Sequence, residues 1–246
     1  MTGRIAVVTG AGRGIGRACA ARLAAQGATV LLVGRDATRL EEAAAHIAEA
    51  ERRACAVALP CDVADPAATR ELFQRVFREH KRLDTLVANA GVMDDALIGM
   101  VTPELVQRVF ATNTHALLYG AQYASRLMAR GGGGSIVALS SIVGVQGFAG
   151  QSVYAGSKAA VIGIVRSLAQ ELAAQQIRVN AVAPGFVDTD LTRALPEAKR
   201  AQTLARIPMG RAGTPDDVAE VVAFLAADAS RYVTGQVVGV DGGLRL

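Results

Sequence analysis

Apolar residues fall into two alternating rhythms along this chain. Short unbroken Val, Ile, Leu and Ala runs recur, and between them apolar positions return every three or four residues. The short runs predict strands at 4–10 (RIAVVTG), 29–34 (TVLLVG), 54–60 (ACAVALP), 84–91 (DTLVANAG), 134–141 (GSIVALSS), 177–184 (IRVNAVAP) and 235–243 (GQVVGVDGG). The longer stretches predict helices at 16–27, 36–51, roughly 66–79, 103–130, 152–175 and 215–227, with Asp36 as N-cap of the second. Strands without polar alternation are buried on both faces. The pattern is therefore α/β: a single-domain, doubly wound parallel sheet of about seven strands with helices on both faces. Residues 1–246 read as one unit without repeat or linker, and RGGGGS (130–135) is a turn. The excursion at 186–210, after Pro184-Gly185, predicts a substrate lid or binding loop.

Composition narrows the function. Hydrophobic residues make up 51% and charged residues 20%, which excludes a disordered chain. No apolar run approaches the ~18 residues of a membrane span. The N-terminus passes directly into a strand-like run, without a signal-peptide pattern, so a cytoplasmic protein away from membranes is expected. Cys19, Cys55 and Cys61 are an odd number without metal-ligand spacing, and His46, His80 and His115 lie far apart, so no metal is expected. The net charge of +4 is spread along the chain and aromatics are only 4%, which argues against nucleic acid. Of the 26 basic residues only Lys81, Lys158 and Lys199 are lysines. A lysine at 158 thus hints at a need for a compact ammonium.

TGAGRGIG (9–16) follows the first strand and opens the first helix. Gly10, Gly14 and Gly16 leave backbone N–H groups bare where the helix end is partly positive, so a pyrophosphate fits there. This placement makes the fold Rossmann-type. The second strand ends in VGRD (33–36). An acidic residue usually stands at this place to hold the ribose hydroxyls of NAD, but Gly34 leaves it empty and Arg35 follows. Arg13 stands inside the glycine turn. Two arginines suit a 2′-phosphate, so the expected cofactor is NADP(H).

With 9–16, ANAG (88–91), SS (140–141) and YAGSK (154–158) in that order, the chain resembles the short-chain dehydrogenase/reductase family, from residue 4 to about 243. APGFVDTDLT (183–192) and GVMDDALIGM (91–100) are similar to its 3-oxoacyl-[acyl-carrier-protein] reductases. The resemblance implies a catalytic set of Asn113, Ser141, Tyr154 and Lys158, with Ser141 rather than Ser140 at thirteen residues before the tyrosine. It implies cofactor contacts at Gly10, Gly12, Arg13, Gly14, Ile15, Gly16 and Arg35, and at Asp62 and Val63 beside the adenine. Asn89, Ala90 and Gly91 would flank the adenosine ribose, where Ala88 replaces the family's more usual Asn. Tyr154 and Lys158 would also meet the cofactor, and Pro184, Gly185, Val187 and Thr189 would hold the carboxamide. It further implies a homotetramer, with helices 103–130 and 152–175 paired across interfaces and the C-terminal VDGGLRL at another.

The chemistry explains these residue types. Reducing a ketone adds hydride to carbon and a proton to oxygen, and NADPH supplies the hydride. A phenol titrates near 10, and a nearby ammonium would lower it; Lys158 lies four residues, one helical turn, from Tyr154. Ser141 would stabilise charge on the carbonyl oxygen, and Asn113 would hold a water linking Lys158 to solvent. The expected function is NADPH-dependent reduction of a 3-oxoacyl thioester. A coenzyme A thioester, a polyketide or a small ketone stays open, as does a non-catalytic NADP-binding sensor or scaffold. Docking of an acidic acyl carrier protein needs cations near the entrance, and the resemblance places two such positions at about 132 and 175. Here Gly132 and Gln175 stand there, with Arg126 and Arg130 nearby.

Overall fold

The structure is a computed structural model that describes residues 1–193 and 195–246; Ala194, within the predicted 186–210 excursion, lies outside the described residues. Seven strands form one sheet: β1 (Ile5–Thr9), β2 (Thr29–Gly34), β3 (Ala56–Pro60), β4 (Thr85–Ala88), β5 (Gly134–Leu139), β6 (Ile177–Pro184) and β7 (Val237–Val240). All pairings are parallel, in the order β3-β2-β1-β4-β5-β6-β7. Alternate residues of one strand serve opposite cores. Ala6 and Val8 pack with Leu23, Leu40 and Val222 on one face, whereas Ile5 and Val7 pack with Phe73, Leu117 and Val165 on the other. This two-sided burial is why the strands read as unbroken apolar runs.

One face carries α1 (Gly14–Ala25), α2 (Ala37–Glu51) and α10 (Pro215–Ala226); the other carries α3 (Pro66–His80), α5 (Ala116–Arg130) and α7 (Ser152–Leu172). Asp36 caps α2 as expected, accepting from the Arg39 N–H at 3.1 Å, and Asp65 caps α3. The predicted helix at 103–130 is interrupted: α4 (Pro103–Phe110) passes into α5 through a π-helical turn, Ala111–His115. A short helix, α6 (Ile142–Gln146), follows β5, and the excursion after β6 holds α8 (Asp190–Arg193) and α9 (Glu197–Leu204). No described helix is long and apolar enough to cross a membrane.

Candidate active site

Strands β1, β4, β5 and β6 all present their carboxyl ends at one edge of the sheet, and the order reverses at β1. Ligands of open α/β sheets lie in such a crevice. The turn between β1 and α1 is packed tightly against the end of β4. Gly10 has φ +66, and a Cβ on it would come 2.8 Å from Asn89 Nδ2; one on Gly16 would overlap the Gly10 carbonyl. Asn89 donates through Nδ2 to the carbonyls of Thr9 (2.8 Å) and Gly10 (3.3 Å). The Thr9 hydroxyl accepts from the N–H groups of Asn89 and Ala90, both at 3.0 Å. These bonds stitch the Asn89-Ala90-Gly91 segment to the glycine turn. Gly12 faces α2, where a Cβ would come 3.3 Å from that of Arg39, and a Cβ on Gly14 would lie 3.6 Å from the Thr189 methyl.

Arg13 is the N-cap residue of α1 in extended conformation and supplies no side-chain acceptor; the first turn contains no acidic residue. The leading N–H groups of this helix are thus left without a side-chain cap, as an anion requires. Arg13 and Arg35 are both exposed beside this turn. Asp62 follows β3 and accepts from the Ala64 N–H at 3.0 Å, and Val63 is buried beside it. With bare donors, glycines where a Cβ would collide and exposed guanidinium groups nearby, this edge fits a dinucleotide.

A cavity of about 260 Å³ continues from the turn across the ends of β4, β5 and β6. It gathers Ile15, Asn89, Gly91, Ser141, Tyr154, Lys158, Pro184, Gly185, Val187 and Thr189. Gly10, Gly12, Arg13, Gly14, Gly16, Arg35, Asp62, Val63 and Ala90 lie off its wall, and Asn113 sits behind Gly91.

The two serines after β5 have different partners. The Ser140 hydroxyl donates to the Lys158 carbonyl at 2.8 Å, so it braces α7. Ser141 caps α6, accepting from the Val143 N–H at 3.2 Å, and faces the cavity. Tyr154 is half-buried and shares the cavity wall with Ser141. Burial pushes the phenol above its ordinary value, opposed in part by the Ser141 hydroxyl. The sequence led to the opposite expectation, that Lys158 would lower it. Nζ of Lys158 lies 5.9 Å from the ring centroid and donates instead to the Leu139 carbonyl at 2.7 Å. Lys158 is 4% exposed, and its burial lowers the ammonium from 10.5 to about 8.

Asn113 occupies the π-helical turn. Its side chain pairs with the Val92 backbone in both directions, accepting from N–H at 2.8 Å and donating to the carbonyl at 2.9 Å. It also donates to Ser157 Oγ at 3.0 Å, and Ser157 donates to the Tyr154 carbonyl at 2.7 Å. A Cβ on Gly91 would lie 3.3 Å from both Asn113 Oδ1 and Lys158 Nζ, so these two groups flank the same glycine.

Several wall residues were not named individually from sequence, although most lie in the segments 92–99, 143–150 and 186–210 that the sequence marks for substrate recognition. Gln151 donates through Nε2 to Asp95 at 2.7 Å, and Lys199 of α9 lies 3.7 Å from the same carboxylate. Met93, Phe148, Phe186, Leu244 and Leu246 supply apolar surface. The scarcity of lysine was the available signal, since two of the chain's three lysines line this cavity. Positions 132 and 175, by contrast, precede β5 and β6 at the opposite edge of the sheet. Within one chain they are not at the entrance. Neither is Arg130, which ends α5 there, over the Phe77 ring at 5.5 Å; Arg126 lies 5.8 Å from the Tyr123 ring.

Comparison with known proteins adds a second line of evidence. A family model described as "Enoyl-(Acyl carrier protein) reductase" matches residues 10–245. The chain is 42% identical to the 3-oxoacyl-[acyl-carrier-protein] reductase FabG of Thermotoga maritima, over 99% of this chain and 98% of that one. It is 40% identical to the Escherichia coli (strain K12) protein of the same name, over 98% and 97%. Among solved structures, a short-chain type dehydrogenase/reductase from Mycobacterium ulcerans superposes with a TM-score of 0.95 at 36% identity, covering 99% of this chain and 90% of that one.

Proposed function

Because the chain belongs to the short-chain dehydrogenase/reductase family, we propose that it is an NADPH-dependent reductase of 3-oxoacyl thioesters carried on acyl carrier protein. Its membership makes it an oxidoreductase of carbonyl or hydroxyl groups that uses a nicotinamide cofactor. The thioester substrate is supported by the names of relatives at about 40% identity. The choice of NADPH is supported by Gly34 at the end of β2 and by the exposed Arg13 and Arg35.

One observation carries the reaction: Tyr154 and Ser141 line the same cavity wall, with the buried Lys158 5.9 Å from the ring centroid. When bound, NADPH supplies a hydride to the carbonyl carbon. The chain's residues handle the oxygen. Ser141 orients it and Tyr154 gives it a proton, and a phenol raised by burial keeps that proton at neutral pH. Lys158, the least exposed cation at the site, is placed to offset charge left on the phenolate. Asn113 fixes the Val92 backbone and, through Ser157, the first turns of α7, which keeps Gly91 and Tyr154 in register. Gly10, Gly12, Gly14, Ile15 and Gly16 would line the pyrophosphate, and Asp62 and Val63 the adenine. Asn89, Ala90 and Gly91 would line the ribose, and Pro184, Gly185, Val187 and Thr189 the nicotinamide end.

Residues 1–246 then act as one cytoplasmic catalytic domain with residues 186–210 as its lid. A homotetramer is supported by an exposed stripe of small residues on α7, Gly156, Ala159 and Gly163, along which another helix can approach closely. Following NADPH oxidation with carrier-protein thioesters, coenzyme A thioesters and free ketones tests the assignment. The expected order places carrier thioesters first and NADPH above NADH. A Tyr154→Phe variant that retained full activity would sink the acid assignment.

A further inference from the structure

The lid segment holds its two aspartates in different ways. Asp188 is braced within the segment, accepting from Arg193 Nε and Nη2 at 3.1 and 3.2 Å, with Arg200 3.6 Å away. Asp190 instead reaches the glycine turn, its Oδ2 3.6 Å from Nη1 of Arg13. Both partners of that pair are largely exposed, at 63% and 60%. Thr189, one residue earlier, faces the same turn at Gly14. Arg35 is exposed and joins no ion pair among the described residues. Of the two arginines assigned to a 2′-phosphate, one is therefore already held by a carboxylate of the lid.

We infer that Asp190 is a specificity-determining residue whose carboxylate competes with the 2′-phosphate of the coenzyme for Arg13, so that a 2′-phosphorylated nucleotide releases α8 from the glycine turn and an unphosphorylated one does not. The inference rests on the assignment of Arg13 to the 2′-phosphate. Two anions on one exposed guanidinium repel each other, and a phosphate carries more charge and more acceptor oxygens than a carboxylate. The pair is loose and solvent-exposed, and such pairs are weak, so the competition amounts to about two- to fivefold in affinity.

The test compares 2′,5′-ADP with 5′-AMP, neither of which carries a nicotinamide, by calorimetric titration of the full chain. Asp190→Asn keeps the side chain's size and removes its charge. It is expected to tighten 2′,5′-ADP by about two- to fivefold and leave 5′-AMP unchanged, and the gain should vanish in an Arg13→Ala background. Limited trypsin digestion reads the lid directly: 2′,5′-ADP should speed cleavage after Arg193, Lys199 and Arg200, and 5′-AMP should not. Equal tightening of both nucleotides, no tightening, or cleavage indifferent to 2′,5′-ADP overturns the inference. Arg13→Ala alone separates the two levels. If it leaves 2′,5′-ADP affinity unchanged, the coenzyme assignment of Arg13 falls as well. If it weakens 2′,5′-ADP while Asp190→Asn does nothing, only the competition falls.

Discussion

In the proposed reaction Tyr154 must hold its proton until the carbonyl oxygen takes it, and burial favours that state. Tyr154→Phe keeps the ring and removes the acid, so turnover should fall about 10²- to 10⁴-fold while coenzyme affinity stays near its original value, read by single-turnover kinetics and titration. Lys158 presents a conflict between stability and chemistry. Its ammonium is lowered from 10.5 to about 8, so below pH 8 the native state carries the full cost of a buried charge. Between about 8 and 10.5 the unfolded chain binds a proton that the native chain does not, and stability should rise with pH through that window. Lys158→Met should abolish reduction yet raise the unfolding free energy at pH 7 by up to about 3 kcal/mol, partly offset by the Leu139 carbonyl left without its donor. Denaturant titrations at pH 7 and pH 10 check this, and the gain should shrink at the higher pH. At this scale the sequence singled out both residues as candidates, but the direction of the phenol's shift depends on burial, which spacing does not reveal. Asp95 and Gln151 were illegible for a similar reason: they meet only because a loop folds over the start of α7.

Elements were most legible where both faces are buried. All seven strands follow from apolar runs, and observed boundaries differ from the expected ones by a few residues, where runs continue into turns that no longer pair. Less legible were α6, α8 and α9, which are short and packed on one side, so they lack the long periodic face that reveals a helix. Periodicity alone runs through the break at Ala111–His115, but the polar Thr-Asn-Thr run coincides with it, and the family resemblance implies a helix-bending asparagine at Asn113. Among the elements, α7 supports the clearest test of assembly. A Cβ on Gly163 meets nothing within 4 Å inside the chain, and the residue is exposed. Gly163→Glu should therefore leave the fold intact, yet place a charge where a second helix is proposed to pack. Light scattering should show the variant shifted to smaller assemblies, with circular dichroism unchanged.

At the scale of the whole molecule, the parallel sheet puts its catalytic edge and the beginnings of β5 and β6 at opposite ends. A carrier protein docked near residue 175 of one subunit therefore cannot feed that subunit's own cavity along a short path. Delivery from that surface requires another copy of the chain to bring its cavity alongside, which links carrier use to assembly. Gln175 is exposed and not in a left-handed conformation, whereas Gly132 has φ +87 and would be strained by any side chain. Gln175→Arg is thus the permissible way to restore a cation to this surface. It should raise kcat/KM for carrier-borne thioesters about two- to fivefold at low salt, through attraction of an acidic partner, and the gain should fade at high ionic strength. Coenzyme A thioesters should be unaffected, because they bring no acidic protein surface. Combined with Gly163→Glu, the gain should disappear, since a dissociated chain would attract the carrier to an edge that serves no cavity.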